Sequence, residues 1–213
     1  MISHDHARAR PDRCLICMAP CQNQKYLSIC SDECAEKLRA RLRLHELHVS
    51  IGDLIEYSLS PGCKLVRDMA CVYAGNVKQQ IPLFCSAEKS NKTKYCNVDL
   101  LVIRDGTIRV IIEIDESNVK PTQICGKFLT SVFSRYYIHN SEGNVPIGMH
   151  DSVTFIQVVG TSKLKRLSVK PEQWKNLESS IINILPIKDS NIKGYRLFMD
   201  REQNELVDYI REY

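Results

Sequence analysis

The sequence predicts an α/β fold in which helices flank a mixed central sheet, preceded by a small N-terminal zinc-binding module. From residue 96 onward, short runs rich in β-branched residues alternate with segments of helical apolar spacing. Those runs are apolar on both faces, which is typical of strands covered by helices on each side. Upstream, four cysteines form two close pairs. We therefore expect a zinc-binding module and its helix over residues 1–48 and the α/β domain over residues 49–213.

The N-terminal module is predicted from the segment CLICMAPCQNQKYLSICSDEC. Cys14 and Cys17 form a CxxC pair, and Cys30 and Cys34 form a CxxxC pair further along the chain. Two close pairs of thiolates suit a closed tetrahedral Zn²⁺ site, which is structural because four thiolates leave no open position. Cys21 is an alternative ligand in place of Cys17. The segment resembles a treble-clef-like four-cysteine zinc finger.

A helix is expected to follow the second cysteine pair, beginning at Ser31 or Asp32, because either side chain can cap a first turn. The sequence AEKLRARLRLHEL continues this helix and carries several cations. Arg39 and Arg43 are therefore candidate contacts to DNA phosphates. The alternatives are that this helix packs on the larger domain or faces solvent.

The charge of the whole chain, formally +4, permits a polyanionic partner without requiring one. Lys163, Lys165 and Arg166 are a second candidate group for phosphate contacts, with a solvated surface as the alternative. No run approaches the roughly 18 apolar residues of a membrane span, and the polar start MISHDHARAR lacks the apolar segment of a secretory signal. We therefore expect a cytoplasmic protein without a membrane partner.

The elements of the larger domain are predicted most clearly in its second half. SIGDLIEYSL predicts a short helix, and KLVRDMACVYAG and QQIPLF are predicted as strands or irregular structure. From residue 96 the predicted order is strand, strand, helix, strand, helix, strand, helix. The corresponding segments are NVDLLVI, TIRVIIEI, TQICGKFLTSVFSRYY, VTFIQVVG, PEQWKNLESSIINIL, YRLFM and REQNELVDYIREY. Pro121 suits the first position of the first of these helices.

The stretch IIEIDES, residues 111–117, places carboxylates at the end of an apolar strand. Burying an ionised carboxylate costs several kcal/mol unless a cation compensates it. Glu113, Asp115 and Glu116 would need several cations nearby, and one divalent ion neutralises them more simply. The alternative is structural: Asp99 caps a strand, Glu113 pairs with a buried cation, and the two acids that follow cap the turn into the helix.

An Asp at the start of one hairpin strand, an acid near the end of the next strand and a covering helix resemble the PD-(D/E)XK nuclease superfamily, which includes most type II restriction endonucleases. The resemblance implies a mixed sheet flanked by helices, with Mg²⁺ held by Asp99, Glu113 and the carbonyl of Ile114. Hard oxygen ligands suit Mg²⁺, which can lower the pKa of a bound water and neutralise charge on a phosphorane. The resemblance also implies double-stranded DNA as substrate and a homodimer.

One position departs from the pattern of that superfamily. Its lysine is expected two residues after Glu113, where this chain has Asp115. Some members carry the lysine on the following helix, and Lys127 lies there with Gln123 on the same helical face. The alternatives are Lys120 as the cation, or the acids after Glu113 acting without a lysine.

The length of the hairpin loop decides whether the acids share a face of the sheet. A two-residue turn places Asp99 and Glu113 on opposite faces. A three-residue loop over residues 104–106 pairs Asp99 with Ile111. Glu113 and Asp115 then lie on the same face as Asp99. A shared metal site requires this arrangement, so we expect the three-residue loop.

These predictions lead to a metal-dependent DNA endonuclease similar to type II restriction enzymes, with structural Zn²⁺ in the module and catalytic Mg²⁺ at the acids. Lys127 is the expected helper of the attacking water. The alternative enzyme is a structure-selective repair or recombination nuclease of the same superfamily. The alternative without catalysis is a zinc-finger DNA-binding protein on an inactive nuclease fold, which Asp115 in the place of the lysine favours.

Overall fold

A computed structural model of the chain describes residues 31, 33, 34, 36, 45–72, 80–116 and 118–213. Cys34, one of the predicted zinc ligands, is helical and buried, and its backbone N–H donates to Ser31 Oγ at 3.2 Å. Such a bond, from the third residue after the cap, is the one expected of a helix that begins after Ser31. The other residues predicted for the zinc site and the basic helix lie outside the described residues: Cys14, Cys17, Cys21, Cys30, Arg39 and Arg43.

In the described residues one helix is followed by five strands, and helices and strands are interspersed from there on. The strands are β1 (Cys63–Arg67), β2 (Ile81–Phe84), β3 (Lys94–Val98), β4 (Leu100–Arg104), β5 (Thr107–Asp115), β6 (Tyr136–Tyr137), β7 (Ile147–Val159) and β8 (Ile192–Met199). The helices are α1 (Glu46–Ser58), α2 (Pro121–Val132), α3 (Lys170–Ile184) and α4 (Gln203–Ile210), with 3₁₀ turns at Met69–Cys71 and Asn140–Glu142. Among the described residues, no helix combines the length and the apolar character needed to cross a membrane.

The described strands form one mixed sheet in the order β1-β4-β5-β7-β6-β2-β3, with β8 paired to β7. β7 runs parallel to β5 and to β8, while β4 and β5 form an antiparallel hairpin. The carboxyl ends of β5, β7 and β8 therefore meet at one end of the sheet. The acids that follow Ile114, the loop after β7 and the turn before α4 all lie at this end.

Helices cover both faces of the sheet, which gives a core on each side. On one face, Phe128 of α2 contacts Phe155 and Tyr195 of the sheet edge to face, at ring centroid distances of 5.7 and 5.2 Å. On the other face, Ile51 of α1 and Ile210 of α4 belong to a second buried apolar cluster with the β-branched residues of β4, β5 and β7. The strands are apolar on both sides because each side is covered.

The predicted α/β class, with a mixed sheet between helices, is confirmed. The order of the elements from residue 96 agrees with the prediction except at two places: NVDLLVI is divided between β3 and β4 at Asp99, and β6 is an additional strand. The helix predicted up to Tyr137 is too long. α2 ends at Val132, and Tyr136–Tyr137 form β6, which pairs with both β2 and β7. A hydrogen bond of 2.7 Å from Arg135 N–H to the carbonyl of Phe84 turns the chain from helix to strand there.

The hairpin turn differs from the expected three-residue loop. β4 and β5 are joined by two residues, Asp105 and Gly106, with φ values of 52° and 71°. Left-handed conformation at both central positions is typical of a type I′ turn, and aspartate and glycine are among the residues that tolerate it. The expectation of a three-residue loop is therefore wrong.

The extra residue lies in β5 and not in the turn. Arg109 forms a β-bulge there, which shifts the pairing of β5 with β4 by one position. Beyond the bulge, Leu100 pairs with Ile112. One residue further along each strand, Asp99 therefore lies opposite Glu113. Residues that lie opposite one another point to the same face of a sheet, so the bulge has the effect that the sequence analysis assigned to the loop.

We expect Phe128→Ala to lower the free energy of unfolding by about 3–5 kcal/mol, because the substitution leaves a cavity beside two buried rings. The matched control is Leu129→Ala, at the next position of α2, where the side chain is 40% exposed; it should cost about 1 kcal/mol or less. Urea unfolding followed by circular dichroism measures both. Equal losses in the two variants would contradict the packing of α2 through Phe128.

Candidate functional site

The candidate site lies where the pairing between β4 and β5 ends, at Asp99. The carboxylate of Asp99 accepts a hydrogen bond from the backbone N–H of Ile114, with 2.7 Å between Oδ2 and N. The backbone carbonyl of Asp99 accepts from Asp68 N–H at 2.8 Å. The Asp99 side chain thus takes the place of a backbone carbonyl as the acceptor where the pairing of β4 with β5 ends. This hydrogen bond fixes the Asp99 carboxylate beside the end of β5.

Glu113 is a carboxyl group in the core, with 3% of the residue exposed. Its Oε2 lies 2.9 Å from Lys127 Nζ. Burial and the neighbouring charge of Asp99 raise the pKa of Glu113 from its usual 4.5 to about 8, against the opposing influence of Lys127. Burial and the nearby negative charge therefore both disfavour the ionised form of Glu113, and a further cation would favour that form.

Lys127 reaches the acids from α2. Its Nζ lies 2.9 Å from Glu113 Oε2 and 2.9 Å from Asp115 Oδ1. Burial alone would lower the pKa of this amine, but the two carboxylates outweigh burial and raise the pKa above its usual 10.5. Lys127 therefore stays protonated at neutral pH, and it can act as a fixed cation and hydrogen-bond donor but not as a proton acceptor.

A chain of buried polar side chains holds Asp115 in place. Gln157 Nε2 donates to Asp115 Oδ2 at 3.0 Å, and Tyr195 Oη donates to Gln157 Oε1 at 3.1 Å. Both residues are buried, and they come from β7 and β8. Sequence reasoning missed them, although Gln157 is a visible signal as the one amide in the apolar run VTFIQVVG.

His48 of α1 lies on the other side of Asp99 and was also missed. Its Nδ1 and its backbone N–H lie 2.9 and 3.1 Å from Glu116 Oε1. Its Nε2 lies 3.8 Å from Asp99 Oδ2. Nothing in the sequence near His48 indicates this position, because the contacts join residues that are distant along the chain.

Gln123 has a different position from the one its helical spacing predicts. Its side-chain oxygen accepts a hydrogen bond of 2.9 Å from the backbone N–H of Lys120 and so caps the start of α2. Lys120 and Gln123 are both exposed there. Of the predicted catalytic residues, the structure brings together Asp99, Glu113, Asp115 and Lys127.

The oxygen atoms at this end of β5 are of the type that suits a hard divalent cation. In a strand the N–H and C=O of one residue share a side, so the Ile114 carbonyl faces β4 and Asp99. The backbone carbonyl of Asp115 faces β7 instead, since it accepts a hydrogen bond from Gly160 N–H at 2.7 Å. Burial and the charge of Asp99 also raise the pKa of Asp68. Burial is the main cause of the raised pKa of both Glu113 and Asp68, and the charge of Asp99 adds to it, so a divalent ion beside these acids would favour their charged forms.

The predicted basic group lies in the loop that joins β7 to α3. Gly160, at the start of the loop, is bonded to Asp115 as described. At its other end, Lys170 Nζ and Trp174 Nε1 donate to the carbonyl of Val119 at 3.2 and 3.3 Å. The loop is therefore fastened at both ends to the segment that follows β5. Its exposed cations are Lys163, Lys165 and Arg166.

A cleft of about 630 Å³ opens beside Glu116. It lies between the first turn of α1, the loop after β7 and the turn before α4. Its lining includes Glu46, Lys163 and Arg201. Acids and cations in one cleft suit a polar, charged ligand more than an apolar one.

The raised pKa of Glu113 predicts a dependence of stability on pH. A carboxyl group whose pKa is higher in the folded state costs stability as pH rises from the unfolded value, near 4.5, to the folded value of about 8. Glu113→Gln removes this cost, so the variant should gain stability over the wild type between pH 5 and pH 8. The slope of the difference should approach about 1.4 kcal/mol per pH unit.

Urea unfolding with EDTA at several pH values measures this slope. The matched control is Glu172→Gln, which removes an exposed acid on α3. If both variants show the same dependence on pH relative to the wild type, burial of Glu113 does not raise its pKa.

Compared with family models, curated proteins and solved structures, the chain shows no match.

Proposed function

We propose that the protein is a metal-dependent endonuclease that hydrolyses double-stranded DNA, similar to type II restriction enzymes. The observation that carries this proposal is the convergence of Asp99, Glu113 and Lys127 at the end of a β-hairpin. Two acids from adjoining strands and a lysine from the covering helix match the residue types that the PD-(D/E)XK resemblance implies. The lysine comes from α2 and reaches Asp115, the residue that stands in its expected place.

Asp99, Glu113 and the carbonyl of Ile114 are the groups that would hold Mg²⁺. The bound ion would supply an activated water and neutralise charge that develops on the phosphate. The raised pKa of Glu113 supports this assignment, because binding a cation there compensates a carboxylate that burial otherwise disfavours. The backbone N–H of Ile114 orients the carboxylate of Asp99.

Lys127 has the role of an orienting cation in this proposal. Its amine is protonated and is held by Asp115, which Gln157 holds in turn. A fixed ammonium beside the acids can donate a hydrogen bond to a phosphate oxygen or to the attacking water. This arrangement explains how a nuclease of this type could work with an aspartate at position 115.

The basic loop supports DNA as the substrate. Lys163, Lys165 and Arg166 are exposed on a loop whose first residue bonds to Asp115. Cations that border a phosphodiesterase site neutralise backbone phosphates and set the register of the duplex. A homodimer, as in restriction enzymes that cut both strands, stays a prediction.

Incubating the purified protein with plasmid DNA and Mg²⁺ tests the proposed activity. We expect cleavage by the wild type and a loss of about 100-fold or more in Asp99→Asn, Glu113→Gln and Lys127→Met, because each removes a charge that acts at the phosphate. Glu172→Gln is the folded control. Cutting at discrete sites supports a restriction enzyme, and cutting of branched DNA alone supports a repair nuclease. DNA binding without cleavage by the wild type would contradict catalysis.

The basic loop predicts a specific change in the dependence of DNA binding on salt. Each of Lys163→Ala, Lys165→Ala and Arg166→Ala should reduce the slope of log K against log salt by about 0.9, because each removes one phosphate contact. Fluorescence anisotropy in EDTA measures binding without cleavage. Lys188→Ala is the control, since Lys188 is exposed at the opposite end of the sheet, before β8. Slopes that match the control would remove the loop from the DNA interface.

A further inference from the structure

We propose that His45, His48 and Glu116 form a second cation site, distinct from the Mg²⁺ site, which binds a divalent transition-metal ion. This site goes beyond the proposed function and does not depend on it. It is carried by the arrangement of the three side chains around the start of α1.

The three side chains converge from two elements. His45 precedes the first residue of α1, His48 lies one turn later, and Glu116 follows the last residue of β5. One ligand atom from each lies within 4.8 Å of the other two. Ligand atoms bound to one Zn²⁺-like ion at about 2.1 Å lie roughly 3.5 Å from one another. Side-chain rotations that move the ligand atoms by about 1 Å would therefore bring them to that spacing.

Glu116 is already positioned for this role. The backbone N–H of His48 donates to Glu116 Oε1 at 3.1 Å, so the carboxylate is fixed relative to α1. The rings of His45 and His48 lie edge to face, with centroids 5.5 Å apart and an interplanar angle of 87°. This places two imidazoles and one carboxylate around a common point.

The ligand set selects a different class of ion from the neighbouring site. Imidazole nitrogen favours transition metals, whereas Asp99, Glu113 and a carbonyl offer the oxygen ligands that suit Mg²⁺. Three protein ligands also leave positions open for water or for a ligand atom. The cleft that Glu116 lines gives that open side access to solvent.

The electrostatic surroundings are mixed, and Lys163 and Arg201, which line the same cleft, oppose a cation. The N-terminal end of α1 carries a partial positive charge, which opposes cation binding. Against it stand Glu46 in the first turn and Glu116 itself, both of which line the cleft. Asp99 Oδ2, 3.8 Å from His48 Nε2, adds a third carboxylate on the inner side.

Binding of Mn²⁺, followed by electron paramagnetic resonance of the free ion, tests the proposal. Mn²⁺ binds to oxygen and imidazole ligands and only weakly to thiolates, so the predicted cysteine site contributes little. We expect two Mn²⁺ ions per wild-type chain. His45→Ala should keep one and weaken the other at least about 100-fold, since losing even an outer partner of a ligand costs 10–100-fold.

The double variant Asp99→Asn/Glu113→Gln separates this proposal from the proposed function. It should keep one Mn²⁺, and pulsed resonance should detect coupling of that ion to imidazole nitrogen, which His45→Ala abolishes. Loss of all Mn²⁺ binding in the double variant, or unchanged binding in His45→Ala, would overturn the second site and leave the contact of His48 with Glu116 as a hydrogen bond only. If the wild type binds one Mn²⁺, and if that ion is kept by the double variant and lost in His45→Ala, the result supports the second site and contradicts the Mg²⁺ site.

Discussion

The contact of Lys127 with Glu113 and Asp115 is the interaction on which the candidate site depends. A carboxylate as deeply buried as Glu113 is unfavourable unless a positive charge lies near it. Lys127 supplies that charge from α2 and in doing so fixes the helix against the end of β5. The same contact leaves the site with more negative than positive charge, because Asp68, Asp99 and Glu116 are close by. Lys127 compensates the charge of the two acids that it contacts but does not neutralise the other acids of the site.

The geometry of the site is supported from both faces of the sheet. On the side of α2, Tyr195 and Gln157 hold Asp115 through a line of hydrogen bonds that crosses β8, β7 and β5. On the side of α1, His48 holds Glu116. Fully satisfied buried networks of this kind specify one arrangement of side chains. The acids at the end of β5 are therefore held by strands and helices that are far apart in sequence, and not by the local turn.

Sequence patterns were sufficient for most elements from β4 onward, because apolar side chains there repeat at the periods of strands and helices, but they left β1 and β2 undecided and placed β6 in a helix. The choice of Lys127, with Lys120 as an alternative, came from the resemblance to the PD-(D/E)XK superfamily, some members of which carry the lysine on the following helix. Patterns failed where the cause was not local. The bulge at Arg109 has no sequence signal, and the position of His48 beside Glu116 and Asp99 is identified only by the contact of distant segments.

The bulge at Arg109 also determines which kinds of genetic change this region can tolerate. Replacing a side chain in the hairpin alters one contact, but adding or removing one residue between Asp99 and Glu113 turns the two acids to opposite faces. The hairpin is therefore more sensitive to changes in length than to changes in composition. Descendants of this chain would be expected to differ in the residue types of the hairpin while keeping the number of residues between Asp99 and Glu113.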